Sequence, residues 1–431
     1  MNILLHTLRT VAYALVEPYF AIILFLVALF LYRKNRRTCI MQKMIIGQKV
    51  NTPLELTISQ IVMGIFGGVL ASLIMSYLGI FFSEDSSIDL IFIVSLIFMF
   101  FNPRFICFSY SGAALGITSL IMSLLSKTLN LPVLDVLKID IPSLMAMISI
   151  LHFVEGILVM IDGNRGYIPV FTKRENKIIG GFAFQRYWIL PIALFIMMNP
   201  ETASNFLVLK QTMPRWWPIL GTSFSKSILA TAIITLLPFY GVVGYNGVTF
   251  TKARRQKVIN SGLLIVFYSL LLFIFSQLAF RNIFFKVFVL IFAPIGHEGV
   301  IIIQKYLEAK GKPKYVSTEE GIMVLDVAKD SVANRMGIKS GDLLLEVNDK
   351  SINNEEDIVK SIEEMYGHIT FKIKSGMGIL KTVTHGRINS YDKLGIVFVP
   401  RAVPEQSTVI GVNDKKFKEI LDKIKNKDKD E

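Results

Sequence analysis

GIMVLDVAKDSVANRMGIKSGDLLLEVND, Gly321 to Asp349, is the stretch whose reading sets the architecture. It opens with an apolar, β-branched run that fits a strand. A short helical turn of the form Ser331-x-Ala333-x-x-x-Gly337-Ile338 follows, and Lys339-Ser340-Gly341-Asp342 then leads into a second apolar strand ending at Asn348. Strand, turn and strand of this size predict a small α+β domain. Around it the domain extends over 316–401, with YDKLGIVFVPR (391–401) as a further strand packed on it. Residues 304–315 form a polar connector and 402–431 a charged tail.

Everything before the connector, residues 1–303, has a different character. The 431-residue chain is 52% hydrophobic and only 18% charged, with a mean hydropathy of +0.53. The apolar residues are gathered into runs long enough to cross a hydrocarbon core of about 30 Å as helix. Long runs with short loops predict a helical bundle and not a barrel of short alternating strands. The net charge of +13 lies largely beside these runs, so it reads as topology signal and attraction to anionic lipid, not as nucleic-acid binding. The two cysteines, Cys39 and Cys107, form no disulfide framework, and their placement gives no sign of paired metal ligands. Neither a metal nor another cofactor is expected.

Nine candidate spans follow: 11–32, 59–82, 88–102, 106–126, 142–161, 187–200, 218–244, 261–280 and 283–303. The third and sixth are short enough to be re-entrant, so eight or nine crossings are expected. The first run ends in RKNRR without a small-residue cleavage site and reads as a retained span. If the segment after it is cytoplasmic, sixteen Lys and Arg fall in inside loops, among them Arg33, Arg104 and Lys257. Six, including Arg9 and Arg281, fall outside. The positive-inside rule then makes the C-terminal domain cytoplasmic. Trp188, Trp216 and Trp217 are expected at span ends, and glycines four apart in GIFGG (64–68) and GAALG (112–116) predict close helix packing.

The 321–349 segment resembles a PDZ domain of the bacterial, protease-associated kind, with Ser331, Ala333, Gly337, Gly341, Asp342 and Asn348 carrying the resemblance. A PDZ groove takes an extended peptide on a sheet edge beside a helix. The edge is expected at Gly321, Ile322, Met323 and Val324, with a helix at 354–366 lending Val359 and Ile362 to the groove.

Ionisable residues inside spans are functional candidates. HFVEG places His152 and Glu155 on one helix face, and APIGHEG places His297 beside Glu298 after Pro294. If these spans adjoin, the two pairs face one another. A site-2-type intramembrane metallopeptidase is one alternative, but His-Glu-x-x-His is incomplete, because Ile301 stands where the second histidine would be. Asp162-Gly163 echoes the Asp-Gly ligand motif of those enzymes, although it precedes the His-Glu. A membrane transporter is the other alternative. The bland reading of the cluster is structural.

The chain as a whole resembles the MinJ family of division-site proteins of Gram-positive bacteria. The resemblance rests on several spans followed by a terminal PDZ-like domain, on HFVEGILVMIDGNRGYIPVFTKRENKIIGGFAFQRYWILP (152–191) and on APIGHEG. It implies a non-enzymatic membrane adaptor bridging DivIVA and MinD at poles and septum. Members usually have six spans, fewer than are expected here. Arg165, Lys173, Arg174, Lys177 and Arg186 then form a basic membrane-proximal loop, either anchoring the topology or offering a docking surface. An apolar stripe of Phe417, Ile420, Leu421 and Ile424 predicts a terminal helix. Self-association is left open.

Overall fold

A computed structural model describes residues 3–401 apart from 49, 132, 134–136, 199–215, 221–232, 353, 355–356, 359, 362–366 and 387–393. They form two compact units, one drawn mainly from residues up to Lys314 and the other mainly from Tyr315 onward.

In the first unit the helices start where the chain supplies caps. Glu17 accepts from the Phe20 amide and Pro18 occupies the first turn, so α1 (Ile3–Val16) stops and α2 (Pro18–Ile46) begins. The single span expected over 11–32 is therefore divided at Glu17. A reciprocal Thr52–Glu55 box opens α3 (Pro53–Leu78), and Gly79 closes it in the left-handed region. α4 (Leu90–Phe101) is only 12 residues, about 18 Å at 1.5 Å per residue. It falls short of the hydrocarbon core, as its brief apolar run suggested. α5 (Phe108–Leu129), α6 (Ile141–Asp162), α7 (Arg254–Leu278) and α8 (Ile283–Lys310) complete the helices. Six of these, α2, α3, α5, α6, α7 and α8, are long and apolar enough to cross a membrane.

The expected helical spans at 187–200 and 218–244 are corrected where they are described. Lys177–Met198 is one long strand, β3, and Ile233–Thr249 is its antiparallel partner β4, in register from Phe182 opposite Thr249 to Met198 opposite Ile233. β1 (Phe81–Ser83) runs parallel to the far end of β3, and β2 (Ile168–Arg174) adjoins its start. The apolar run from Trp188 to Ile196 is buried on both faces, so it shows neither the alternation of a half-buried strand nor a helical stripe. α3 covers β3 on one side: Ser72 Oγ accepts from the Ala193 amide at 2.9 Å. A Cβ on Gly64 or Gly68 would strike the carbonyl of Ile189 or Pro191. The GIFGG glycines thus pack closely, as expected, but against a strand.

α6 is buried along most of its length. It meets α7 at a glycine-to-glycine contact, where a Cβ on either Gly156 or Gly262 would run into the other's carbonyl.

The second unit holds β5 (Tyr315–Val316), β6 (Ile322–Val327), α9 (Val332–Arg335), β7 (Leu343–Val347), β8 (Lys350–Ser351), β9 (Ile369–Lys374), β10 (Leu380–His385) and β11 (Ile396–Val399). Its sheet runs β10-β9-β7-β6-β11, with β8 on β7. Ile322, Val324, Ala333, Leu344, Val347, Ile358, Phe371 and Ile373 fill the core. The motif residues each have a physical task. Ala333 is wholly buried, and Gly337 and Gly341 hold φ of +79° and +94°, where a side chain is strained. Asp342 accepts from the Lys339 amide at 2.9 Å, and Asn348 Oδ1 accepts from the Thr370 amide at 2.8 Å, tying the turn after β7 to β9.

Candidate functional site

The polar residues expected to meet inside the bundle do meet. α6 carries His152 and Glu155, α8 carries His297 and Glu298, and the two imidazole centroids lie 5.6 Å apart. The turn that enters α5 adds residues outside the original expectation: Cys107, Ser109, Tyr110 and Arg104. Cys107 Sγ is 3.0 Å from His152 Nε2, and Ser109 Oγ is 3.2 Å from the same nitrogen.

Each imidazole is oriented from behind. His152 Nδ1 lies 2.8 Å from the Ile148 carbonyl, which only accepts, so Nδ1 carries a proton, and in the neutral imidazole Nε2 presents the lone pair. On the other side, Arg104 pairs with Glu298, and the Tyr110 hydroxyl donates to Glu298. The Tyr110 oxygen then accepts from His297 Nδ1 at 3.1 Å, so that in the neutral ring the lone pair of His297 falls on Nε2. Tyr268 donates to the Ala293 carbonyl at 2.7 Å and lies 2.9 Å from Ser109 Oγ. Glu155 Oε2 is 3.9 Å from His152 Nε2. Glu155 and both histidines line a cavity of about 400 Å³ that also reaches Tyr245 and Gln304. Cys107, His152 and His297 place one donor atom each within 4.8 Å of the others, a set that could hold a metal ion. No spacing rule links Cys107 to the histidines, so its part in this cluster has no signal along the chain.

The expected positions of Arg186, Trp188 and Trp217 are corrected, and the carboxylate of the Asp-Gly echo proves to be engaged elsewhere. Asp162 is not available as a ligand, because Arg186 and Trp188 consume it. Arg186 Nε donates to Asp162 Oδ2 at 2.9 Å, its Nη2 also reaches that oxygen, and Trp188 Nε1 donates to it at 2.9 Å. Ser59 donates to the second oxygen at 3.0 Å. Arg186 is 1% exposed, so it leaves the basic surface assigned to it, and Trp188 is buried and not at a headgroup level. Trp217 is likewise buried, donating to the Ser76 carbonyl, while Trp216 is half exposed. Lys173 and Lys177 do remain exposed on the β2–β3 hairpin, with Arg174 half-buried. That hairpin turns through Glu175 and Asn176, both at positive φ. Arg165 is half exposed and 3.5 Å from Asp162.

In the second unit the expected peptide-binding edge is corrected too. Ile322–Val327 is an interior strand: β7 pairs one side, with Met323 opposite Leu343, and β11 the other, with Met323 opposite Val399. Gly321 serves close packing, since a Cβ there would strike the Leu344 carbonyl. The end of the sheet is β11, and among the described residues no strand pairs with its outer side. The chain enters β11 through Leu394, whose carbonyl accepts from Ala333, and Gly395 at φ +71°. Ile396 and Phe398 pack on the core that Ile358 of the 357–361 segment also enters. Val359 and Ile362 lie outside the described residues, as does the tail with its expected helix. The signal for β11 was present as Leu-Gly-Ile ahead of an alternating apolar strand.

No curated protein and no solved structure matches the chain. The family description that does match is the PDZ domain, over residues 323–374. The strand order, the motif residues and this match agree, and a PDZ domain, a module that binds protein partners, occupies the C-terminal part of the chain.

Proposed function

We propose that the protein is an integral membrane adaptor that recruits protein partners by strand addition along β11. The observation that carries this reading is the outer side of Ile396–Val399, left unpaired among the described residues at the end of the PDZ sheet. Main-chain hydrogen bonds along that edge supply affinity, and pockets for alternate side chains supply selectivity. The apolar helices anchor the module, and the bias of Lys and Arg toward one set of loops favours a cytoplasmic PDZ domain. The MinJ resemblance extends the proposal to a division-site role, with DivIVA and MinD as partners. Six long apolar helices agree with the number usual in that family.

The test is crosslinking and pull-down from native membranes with the full chain and with a chain truncated before Tyr315. Division proteins captured by the full chain and lost on truncation support the reading. A cleaved substrate, or capture that ignores the truncation, overturns it. A C-terminal alkaline phosphatase fusion is expected to be inactive and a fluorescent-protein fusion bright; the reverse places the PDZ domain outside.

A further inference from the structure

We infer that Cys107, His152 and His297 form a zinc site within the membrane unit, one with three protein ligands and a fourth position open to the cavity. Their donor atoms already lie within 4.8 Å of one another. Tetrahedral zinc with bonds of about 2.3 Å to sulfur and 2.0–2.1 Å to nitrogen needs donors about 3.3–3.7 Å apart. Small side-chain adjustments reach that spacing. The donors are a thiol and two imidazoles, a set that suits a borderline-soft divalent ion.

The surroundings are those of ligands, not of an incidental polar contact. Metal-binding histidines hold the distal nitrogen in a hydrogen bond that fixes tautomer and ring orientation. Here that role falls to the Ile148 carbonyl for His152 and to the Tyr110–Glu298–Arg104 chain for His297. Both Nε2 atoms are left as lone-pair donors. The incomplete His-Glu-x-x-His takes no part as such: His297 contributes one ligand, and Glu298 acts behind it through Tyr110. On the cavity side Glu155 stands 3.9 Å from His152 Nε2, placed to accept a hydrogen bond from a water on the metal. Binding releases the Cys107 thiol proton to solvent, and the thiolate becomes the charged ligand.

The experiment uses the full chain purified in detergent under reducing conditions, stripped with a chelator and reloaded with zinc or cobalt(II). Stoichiometric zinc is expected, together with a cobalt spectrum showing a thiolate-to-cobalt charge-transfer band and tetrahedral visible bands. Cys107→Ser should abolish the charge-transfer band and His297→Gln should lose the metal. Cys39→Ser, on α2, should leave both unchanged. Elution profile and tryptophan emission report whether each variant folds. The wild-type cobalt spectrum tests the thiolate even if a variant does not fold. A folded wild-type protein that binds no zinc, or gives a cobalt spectrum without the thiolate band, overturns the site.

Discussion

The PDZ domain and the polar centre of the membrane unit differ in how far apart in sequence their defining residues lie. In the PDZ domain Ser331 to Asn348 form a nearly contiguous phrase, each residue shaping the turn it sits in. In the membrane unit Cys107 and His152 are 45 positions apart, and His297 arrives two helices and a long hairpin later. A local motif can be read because its chemistry acts on its own backbone. A site assembled across helices becomes visible only when packing brings the pieces together.

The largest expected effect tests whether the membrane unit depends on such distant pairs. Breaking a buried ion pair leaves an uncompensated charge and costs about 3–5 kcal/mol. Arg186→Met leaves buried Asp162 with only the half-exposed Arg165 as counter-ion, beside Trp188 and Ser59, and should lower the thermal midpoint of the detergent-solubilised protein sharply. Double replacement with Asp162→Leu should recover part of the loss. If the single variant matches wild type, the distant-pair picture of this unit fails.

A second pair of changes sharpens the contrast inside the PDZ domain. Gly395→Val places a β-branched side chain at positive φ beside the β11 edge, and partner capture should fall by roughly ten- to a hundred-fold, about 1.4–2.7 kcal/mol. Gly321→Ala should instead cost stability, about 1–3 kcal/mol from overpacking against Leu344, with partner binding retained in whatever folds. Titration of partner binding alongside thermal unfolding separates the two. The reverse result, binding lost at Gly321 and kept at Gly395, returns the groove to β6.

The smallest expected effect is at an exposed pair. Glu346→Gln removes the partner of Lys372, 3.0 Å away and partly exposed, and should change stability by less than about 1 kcal/mol. A larger loss would mean that surface charges hold the PDZ sheet together more than its core does.

These contrasts explain what could be read without coordinates. The two-part architecture and the PDZ core were legible, because hydropathy and a short-range motif carry them; His152 and His297 could be singled out as polar residues in apolar runs, but their meeting depended on which helices adjoin. The groove strand was misassigned because sheet order is not chain order: β11 reaches the edge from some seventy residues downstream and covers the strand that the motif begins with. The apolar run of β3 from Trp188 to Ile196 reads as a span because a run buried on both faces has no period to read, and the length and apolarity of the β4 segment invite the same reading. Arg186 looked like a loop cation because Asp162, its counter-ion, precedes it by 24 positions across a hairpin.

The glycine contact between Gly156 and Gly262 also has a meaning in time. α6 is synthesised before α7 exists, and at ordinary translation rates the segment from Asp162 to Arg254 takes roughly 5–20 s to make. For that interval the face of α6 bearing Glu155 and the bare Gly156 surface has no α7 to cover it, and His297 has yet to emerge. The nascent protein therefore passes through a stage in which its most buried helix is its least protected one.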